Sequence, residues 1–308
     1  MGSIKIILSV VFIVCTHFSA HAYTDTLLYL TQTKFIQGNY TDFYVDNLNN
    51  IYLISGKSKI TKLNDKGDSS AVYNDVRRYS NIFSLDVTNP FKIVLYYKDF
   101  STLVILDRFL NAINTIDLRT LNILQAKAVA LSYDNNYWVF DELNNKLKKL
   151  DDKGNLLLET ADFRVLFSES FSPDDIIDDN GYLYLYDESS GWKLFDYYGA
   201  FKKNIPAPHW KNVMAQKSFL TGHDEIHFYK ANTETTLIQS YQLPPLNNAF
   251  SHLPDTALNN KFSHFNTDTT LHNLSVQHLD MTLFIKAVWQ MNTLYILNSN
   301  GLSIFAVQ

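Results

Sequence analysis

A chain of 308 residues that is 46% hydrophobic can bury a sizeable core, and its formal net charge of −5 argues against nucleic acid or an anionic membrane surface as the main partner. The single cysteine, Cys15, excludes a disulfide framework, so stability has to come from packing. The 19 Tyr and 21 Phe favour β-structure.

The chain opens with an export signal. Lys5 precedes an apolar run over 6–14, and Ala20-His21-Ala22 forms an A-x-A cleavage site, so cleavage after Ala22 leaves a mature chain of 23–308. Phe12-Ile13-Val14 lacks the small residue that a lipoprotein signal places before its cysteine, so Cys15 leaves with the signal. The 6–14 run is too short to span a bilayer, and no later run approaches the roughly 18 apolar residues a span needs. No transmembrane segment is therefore expected in the mature chain.

After the signal, 26–36 (TLLYLTQTKFI) is a strand-like run with no unit of its own. Six similar units follow. Their middle strands are marked by Tyr52, Ile93, Trp138, Leu183, His227 and Tyr295, spaced 41 to 45 residues apart until a last step of 68. Periods of that size belong to repeat architectures built from small sheets. A preceding strand is expected at 43–46, 83–86, 128–132, 175–178, 218–221 and 284–288. A third is expected at 59–63, 103–107, 146–150, 192–196, 236–241 and 301–306. Fourth strands such as 112–118 and 155–160 are weaker. The sixth unit ends without one, so the strand over 26–36 is expected to complete it and close a ring of six blades, removing an exposed sheet edge.

The pattern strand, D-x-x-x-N, strand, turn, strand, x-D-x-x-G is carried by FYVDNLNNIYLISGKSKITKLNDKG at 43–67, by the 134–154 unit and by the 178–199 unit. It resembles the NHL-type repeat of six-bladed β-propellers. Such repeats carry an Asp at the end of the second strand, matched here by Asp141 and Asp187. The resemblance implies the fold, an all-β six-bladed propeller closed by an N-terminal strand. It does not select among the scaffold, sensor, lactonase and lyase functions that such propellers serve.

Two stretches depart from the repeat. Residues 244–282, with Pro244-Pro245, Asn247-Asn248 and Asn259-Asn260, form an insertion about 24 residues longer than the period requires. Long inserted loops carry function more often than repeated blades do, which makes its Phe250, Phe262 and Phe265 candidates for partner binding. The second is the Pro-x-Pro loop at 206–210, with His209 and Trp210 as candidate anchors.

No stretch of the chain carries a complete catalytic or phosphate-binding motif. His223-Asp224-Glu225-Ile226-His227 is not H-E-x-x-H, and its context is a turn entering a strand rather than a helix. Gly56-Lys57-Ser58 has no phosphate-loop glycine upstream and no helix behind it. Carboxylates near inner-strand ends, Asp46, Asp86, Asp134, Asp178 and Asp224, together with His223, are the candidates for a channel mouth. The expected function is a non-enzymatic exported platform for protein binding or assembly in the cell envelope, needing no metal or cofactor. Its expected partners are other envelope proteins, outer-membrane-associated ones included. The alternative is a metal-dependent lactonase-type hydrolase with those mouth carboxylates as its site.

Overall fold

Ile51–Ser55, Lys92–Tyr97, Tyr137–Asp141 and Tyr182–Asp187 are buried almost without alternation, which is what a strand covered on both faces requires. A computed structural model of the chain, describing residues 26–27, 30–167, 171–224, 227–242 and 284–307, shows what covers them. The strands form six small sheets. β1 (Thr26–Leu27) and β2 (Leu30–Gln37) precede the first of these. Blade 1 is β3 (Asp42–Val45), β4 (Ile51–Ser55), β5 (Lys59–Leu63) and β6 (Ser69–Asn74). Blade 2 is β7 (Ser84–Asp86), β8 (Lys92–Tyr97), β9 (Thr102–Asp107) and β10 (Ala112–Asp117). Blade 3 is β11 (Ala126–Leu131), β12 (Tyr137–Asp141), β13 (Lys146–Leu150) and β14 (Leu156–Glu159). Blade 4 is β15 (Asp175–Asp179), β16 (Tyr182–Asp187), β17 (Gly191–Asp196) and β18 (Phe201–Ile205). Blade 5 is β19 (Lys211–Gln216), β20 (Phe219–His223), β21 (His227–Asn232) and β22 (Ile238–Gln242). Blade 6 is β23 (Phe284–Gln290), β24 (Thr293–Asn298) and β25 (Gly301–Val307), with β2 as its fourth strand. The chain is a six-bladed β-propeller.

Closure follows the sequence expectation. β2 pairs antiparallel with β25 from Leu30↔Val307 to Gln37↔Gly301. Just before it, β1 runs parallel to β22, so the N-terminal segment laces blade 5 to blade 6. Gly301 (φ +150°) is fixed by this junction, since a Cβ there would lie 2.2 Å from the Ile36 carbonyl oxygen.

The core is six wedges rather than one centre. Tyr52, Ile93 and Leu95 fill the seam between blades 1 and 2, and Val94, Ile105 and Val139 that between blades 2 and 3. Trp138, Phe140 and Leu185 fill the next, followed by Tyr184, Trp192 and Leu220. Phe228, Leu294 and Phe305 separate blades 5 and 6, and Phe43, Leu53 and Leu297 close the circle. Each middle strand thus contributes its odd and even residues to different wedges, and burying both faces replaces the period-2 alternation with a continuous apolar run.

Blade 5 corrects the expected register. Residues 219–221 of the expected first strand fall in its second, His227 opens its third, and the 236–241 run overlaps its fourth. The first strand is β19, which the sequence disguises. Lys-Asn-Val-Met-Ala-Gln has a single β-branched residue and directly follows the Pro-rich loop. β20 is disguised too, because Gly222 sits in its interior where Trp210 packs: a Cβ at Gly222 would meet Trp210 Cβ at 2.9 Å.

Candidate functional site: the two mouths of the channel

All six inner strands run in one direction around the axis, so their ends define two faces. The front face carries the inner-strand starts and the turns between second and third strands. The rear carries the inner-strand ends and the turns between first and second, and between third and fourth, strands. The sequence candidates divide between them: Asp46, Asp86, Asp134 and Asp178 lie at the rear, whereas His223, which ends β20, and Asp224 just after it lie at the front. They do not converge on one point.

At the rear mouth the polar groups hold blade to blade. Asp86 accepts the Leu131 N–H at 2.7 Å, tying blade 2 to blade 3. Asp178 of blade 4 accepts from Ser132 Oγ (2.8 Å) and Trp138 Nε1 (3.1 Å) of blade 3. Asp179 accepts the Lys217 N–H of blade 5 at 2.7 Å, and Gln216 of blade 5 accepts the Met291 N–H of blade 6 at 3.2 Å. Gln290 Nε2 of blade 6 donates to the Asp46 carbonyl at 3.0 Å, and Lys62 Nζ of blade 1 donates to the Arg108 carbonyl of blade 2 at 3.1 Å. Every seam is bridged. Burial raises the Asp86 and Asp179 carboxyls above the usual range. Asp134 instead lies below it, because donation from Lys149 (2.7 Å) and Asn136 outweighs its burial.

The rear turns also present apolar side chains. In three of them an Asp accepts two backbone N–H groups and the carboxamide of an Asn four residues on. Asp46 receives Leu48 N, Asn50 N and Asn50 Nδ2 at 2.8–2.9 Å. Asp107 does the same with Phe109 and Asn111, and Asp151 with Lys153 and Asn155. This explains the D-x-x-x-N spacing as a self-capped turn. Leu48, Phe91, Phe109, Tyr133, Tyr198, Leu237 and Met291, all on rear turns, are 55 to 87% exposed.

The front mouth is built from charged groups at the heads of inner strands: Asp42, Lys127, Asp175, Lys211 and Lys286. Lys286 Nζ pairs with Asp42 at 2.7 Å across the seam of blades 6 and 1 and lies 3.9 Å over the Tyr44 ring. Lys127 pairs with Asp174 at 2.9 Å and donates to the Ser172 carbonyl at 2.6 Å. Asp175 is open to the channel yet surrounded by Asp174, Lys286 and Lys127. That enclosure, with the like charge of Asp174, pushes its carboxyl up to about 6. A cavity of about 320 Å³ between blades 1 and 2 adjoins this mouth, lined in part by Asp42, Tyr44, Ile54, Ile82 and Phe83. Sequence reasoning misses these front residues, although Asp42, Asp175 and Lys211 each open an inner strand and Lys127 and Lys286 follow within two positions of the start of two more.

His223 is buried; its Nε2 lies 2.8 Å from Asn212 Nδ2 and its Nδ1 2.7 Å from the Asp224 carbonyl, and burial lowers its pKa. Asp224 accepts from Tyr229 Oη at 2.6 Å. In the Pro-x-Pro loop, Trp210 is only 5% exposed and stacks on Tyr229 at 5.3 Å, so its ring belongs to the core. His209 is exposed with φ +65°. Phe250, Phe262 and Phe265 lie outside the described residues. Among the described residues no three His, Cys, Asp or Glu groups are placed to hold a metal ion, and no helix is long and apolar enough to cross a membrane.

No family model matches the chain, and comparison with curated proteins finds no match. Solved structures do match. One is a catalytically inactive virginiamycin B lyase from Staphylococcus aureus with quinupristin, at 11% identity over 91% of this chain and 99% of that one, TM-score 0.55. Another is a streptogramin B lyase, at 15% identity over 86% and 78%, TM-score 0.54. A Bacteroides fragilis protein thought to be exported matches at 8% identity over 93% and 97%, TM-score 0.53. At these identities the likeness is one of fold alone.

Proposed function

We propose that the protein is a non-enzymatic, exported propeller that serves as a protein-binding or assembly platform in the cell envelope. The observation that carries this reading is the rear face, where seven large apolar side chains stand exposed on turns. Several of those turns are braced by their own Asp and Asn side chains. Large apolar side chains on turns that are already fixed can anchor a partner with little loss of ordering entropy. The rear carboxylates support the same reading, because the blade-to-blade hydrogen bonds engage them. Export is consistent with the signal-like start and with the fold shared with the Bacteroides fragilis protein. Residues 244–282 and His209, both connected to the front, are proposed as a second determinant of partner choice.

The test is co-purification from envelope extracts with wild type and with a Phe109→Ser, Tyr133→Ser, Tyr198→Ser variant. The platform reading expects the folded variant to lose the partners that wild type retains. Identical partner sets from both would count against it.

A further inference from the structure

The cleft between blades 1 and 2 carries two lysines that are paired with no carboxylate among the described residues. Its rim is the turn at Gly56-Lys57 in blade 1 and the entry to blade 2 at 81–83, held together where the Ile82 N–H donates to the Lys57 carbonyl at 3.1 Å. Lys57 lines the cleft, and Lys98 stands at its edge with Nζ 4.5 Å from the centre of the Phe83 ring. Both side chains are exposed, and neither ammonium has a hydrogen bond or ion pair among the described residues. Asp42 does not answer them: it lines the cleft, but it is paired with Lys286 at 2.7 Å. Asp99, next to Lys98 in the chain, is exposed and outside the cleft lining.

The rest of the cleft supplies apolar walls and one neutral donor. Ile54, Ile82 and Phe83 line it, and its volume of about 320 Å³ is at the lower end of that found for ligand pockets. Phe83 is 48% exposed, yet its ring stands edge-on to Tyr96 at 5.7 Å. A ligand covering that ring would remove apolar surface from water without having to order it. Asn81 also lines the cleft, and its carboxamide makes no hydrogen bond among the described residues. The backbone N–H groups of Thr41, Ile82 and Phe83 are already given to the carbonyls of Ile54, Lys57 and Tyr96. The lining therefore offers lysine charge and a carboxamide rather than a nest of N–H groups of the kind that holds phosphate. That donor set suits a carboxylate.

We infer that this cleft binds a small amphipathic monocarboxylate, with its carboxylate on Lys57, Lys98 and Asn81 as further donors, and its apolar body against Ile82 and Phe83. This goes beyond the platform reading and does not depend on it.

The test titrates the full mature chain with sodium 3-phenylpropanoate, following isoleucine methyl signals by NMR and affinity by isothermal calorimetry. The Ile54 and Ile82 methyls, assigned through Ile54→Val and Ile82→Val, should shift in the ring current of the probe, and that of Ile116 in the next seam should not. Lys57→Met alters an exposed side chain and keeps the backbone carbonyl that Ile82 uses. It should weaken binding about tenfold, as expected for one charge-assisted hydrogen bond. Phe83→Ala should weaken it severalfold, and the uncharged 3-phenylpropanamide should bind about tenfold less tightly than the carboxylate. The inference is overturned if Ile54 and Ile82 do not shift, if the amide binds as tightly as the carboxylate, or if Lys57→Met or Phe83→Ala binds as wild type does. An equal loss in Lys66→Met, on an exposed rear turn, would overturn it too, because the effect would then come from net charge rather than from the cleft.

Discussion

Replacing Asp178 measures how much the rear hydrogen bonds hold the ring together. Its carboxylate accepts from Ser132 Oγ, Trp138 Nε1 and Tyr197 Oη, and the first two belong to the neighbouring blade. Trp138 is fully buried and Ser132 nearly so. Asp178→Ala therefore strands two buried donors, each costing about 1–3 kcal/mol when left without an acceptor. The expected loss is about 3–4 kcal/mol, or roughly 6–8 °C in Tm for a domain of this size. Asp178→Asn keeps one acceptor oxygen and should lose about 1 kcal/mol. Urea unfolding followed by tryptophan fluorescence reports both, and the altered Trp138 environment should appear in the native baseline. An alanine variant that loses less than 1 kcal/mol, or an asparagine variant as unstable as alanine, would refute the latch account.

Deleting 23–37 should leave the outer edge of β25 without its partner strand and lower Tm by roughly 10 °C or more, read by differential scanning calorimetry; an unchanged Tm would exclude closure by β2. Trp210→Ala should destabilise by about 3–5 kcal/mol, because the indole packs against Gly222 and Tyr229. A variant of normal stability would show that the ring is not core. The crowded front mouth, with the like charge of Asp174, raises the folded Asp175 carboxyl above its unfolded value. The native state therefore keeps a proton that the unfolded chain has released between about pH 4 and about pH 6, and stability falls as pH rises through that window. Asp175→Asn should remove that fall and melt higher than wild type at pH 7, whereas a parallel pH profile would contradict the placement of the group.

Blades 1, 3 and 4 were legible because their middle strands are continuous apolar runs between turns that advertise their backbone. Asn49, Asn135 and Asn180 occupy positive φ where Asn is tolerated. In blades 5 and 6 the corresponding positions are Lys217 and Met291, which give no such signal. The expected register of blade 5 fails for that reason, and because Gly222 weakens its second strand. Closure was legible by counting, since one strand was missing at the end and one was spare at the start. The site was only half legible. Aspartates at inner-strand ends are visible in sequence, but their engagement by Leu131, Trp138 and Lys217 depends on which blades are neighbours. The front mouth draws Asp42, Lys127, Asp175 and Lys286 from distant parts of the chain, and only ring closure brings them together.

The platform claim is tested most directly by site-specific photo-crosslinking in intact cells, with the photoreactive residue placed in turn at Phe109 and Tyr198 on the rear face and at Val72 on the outer strand β6. The account predicts discrete cross-linked protein species from the two rear positions and none from Val72. Cross-links from Val72 alone, or from no position while the protein is folded and exported, would contradict it.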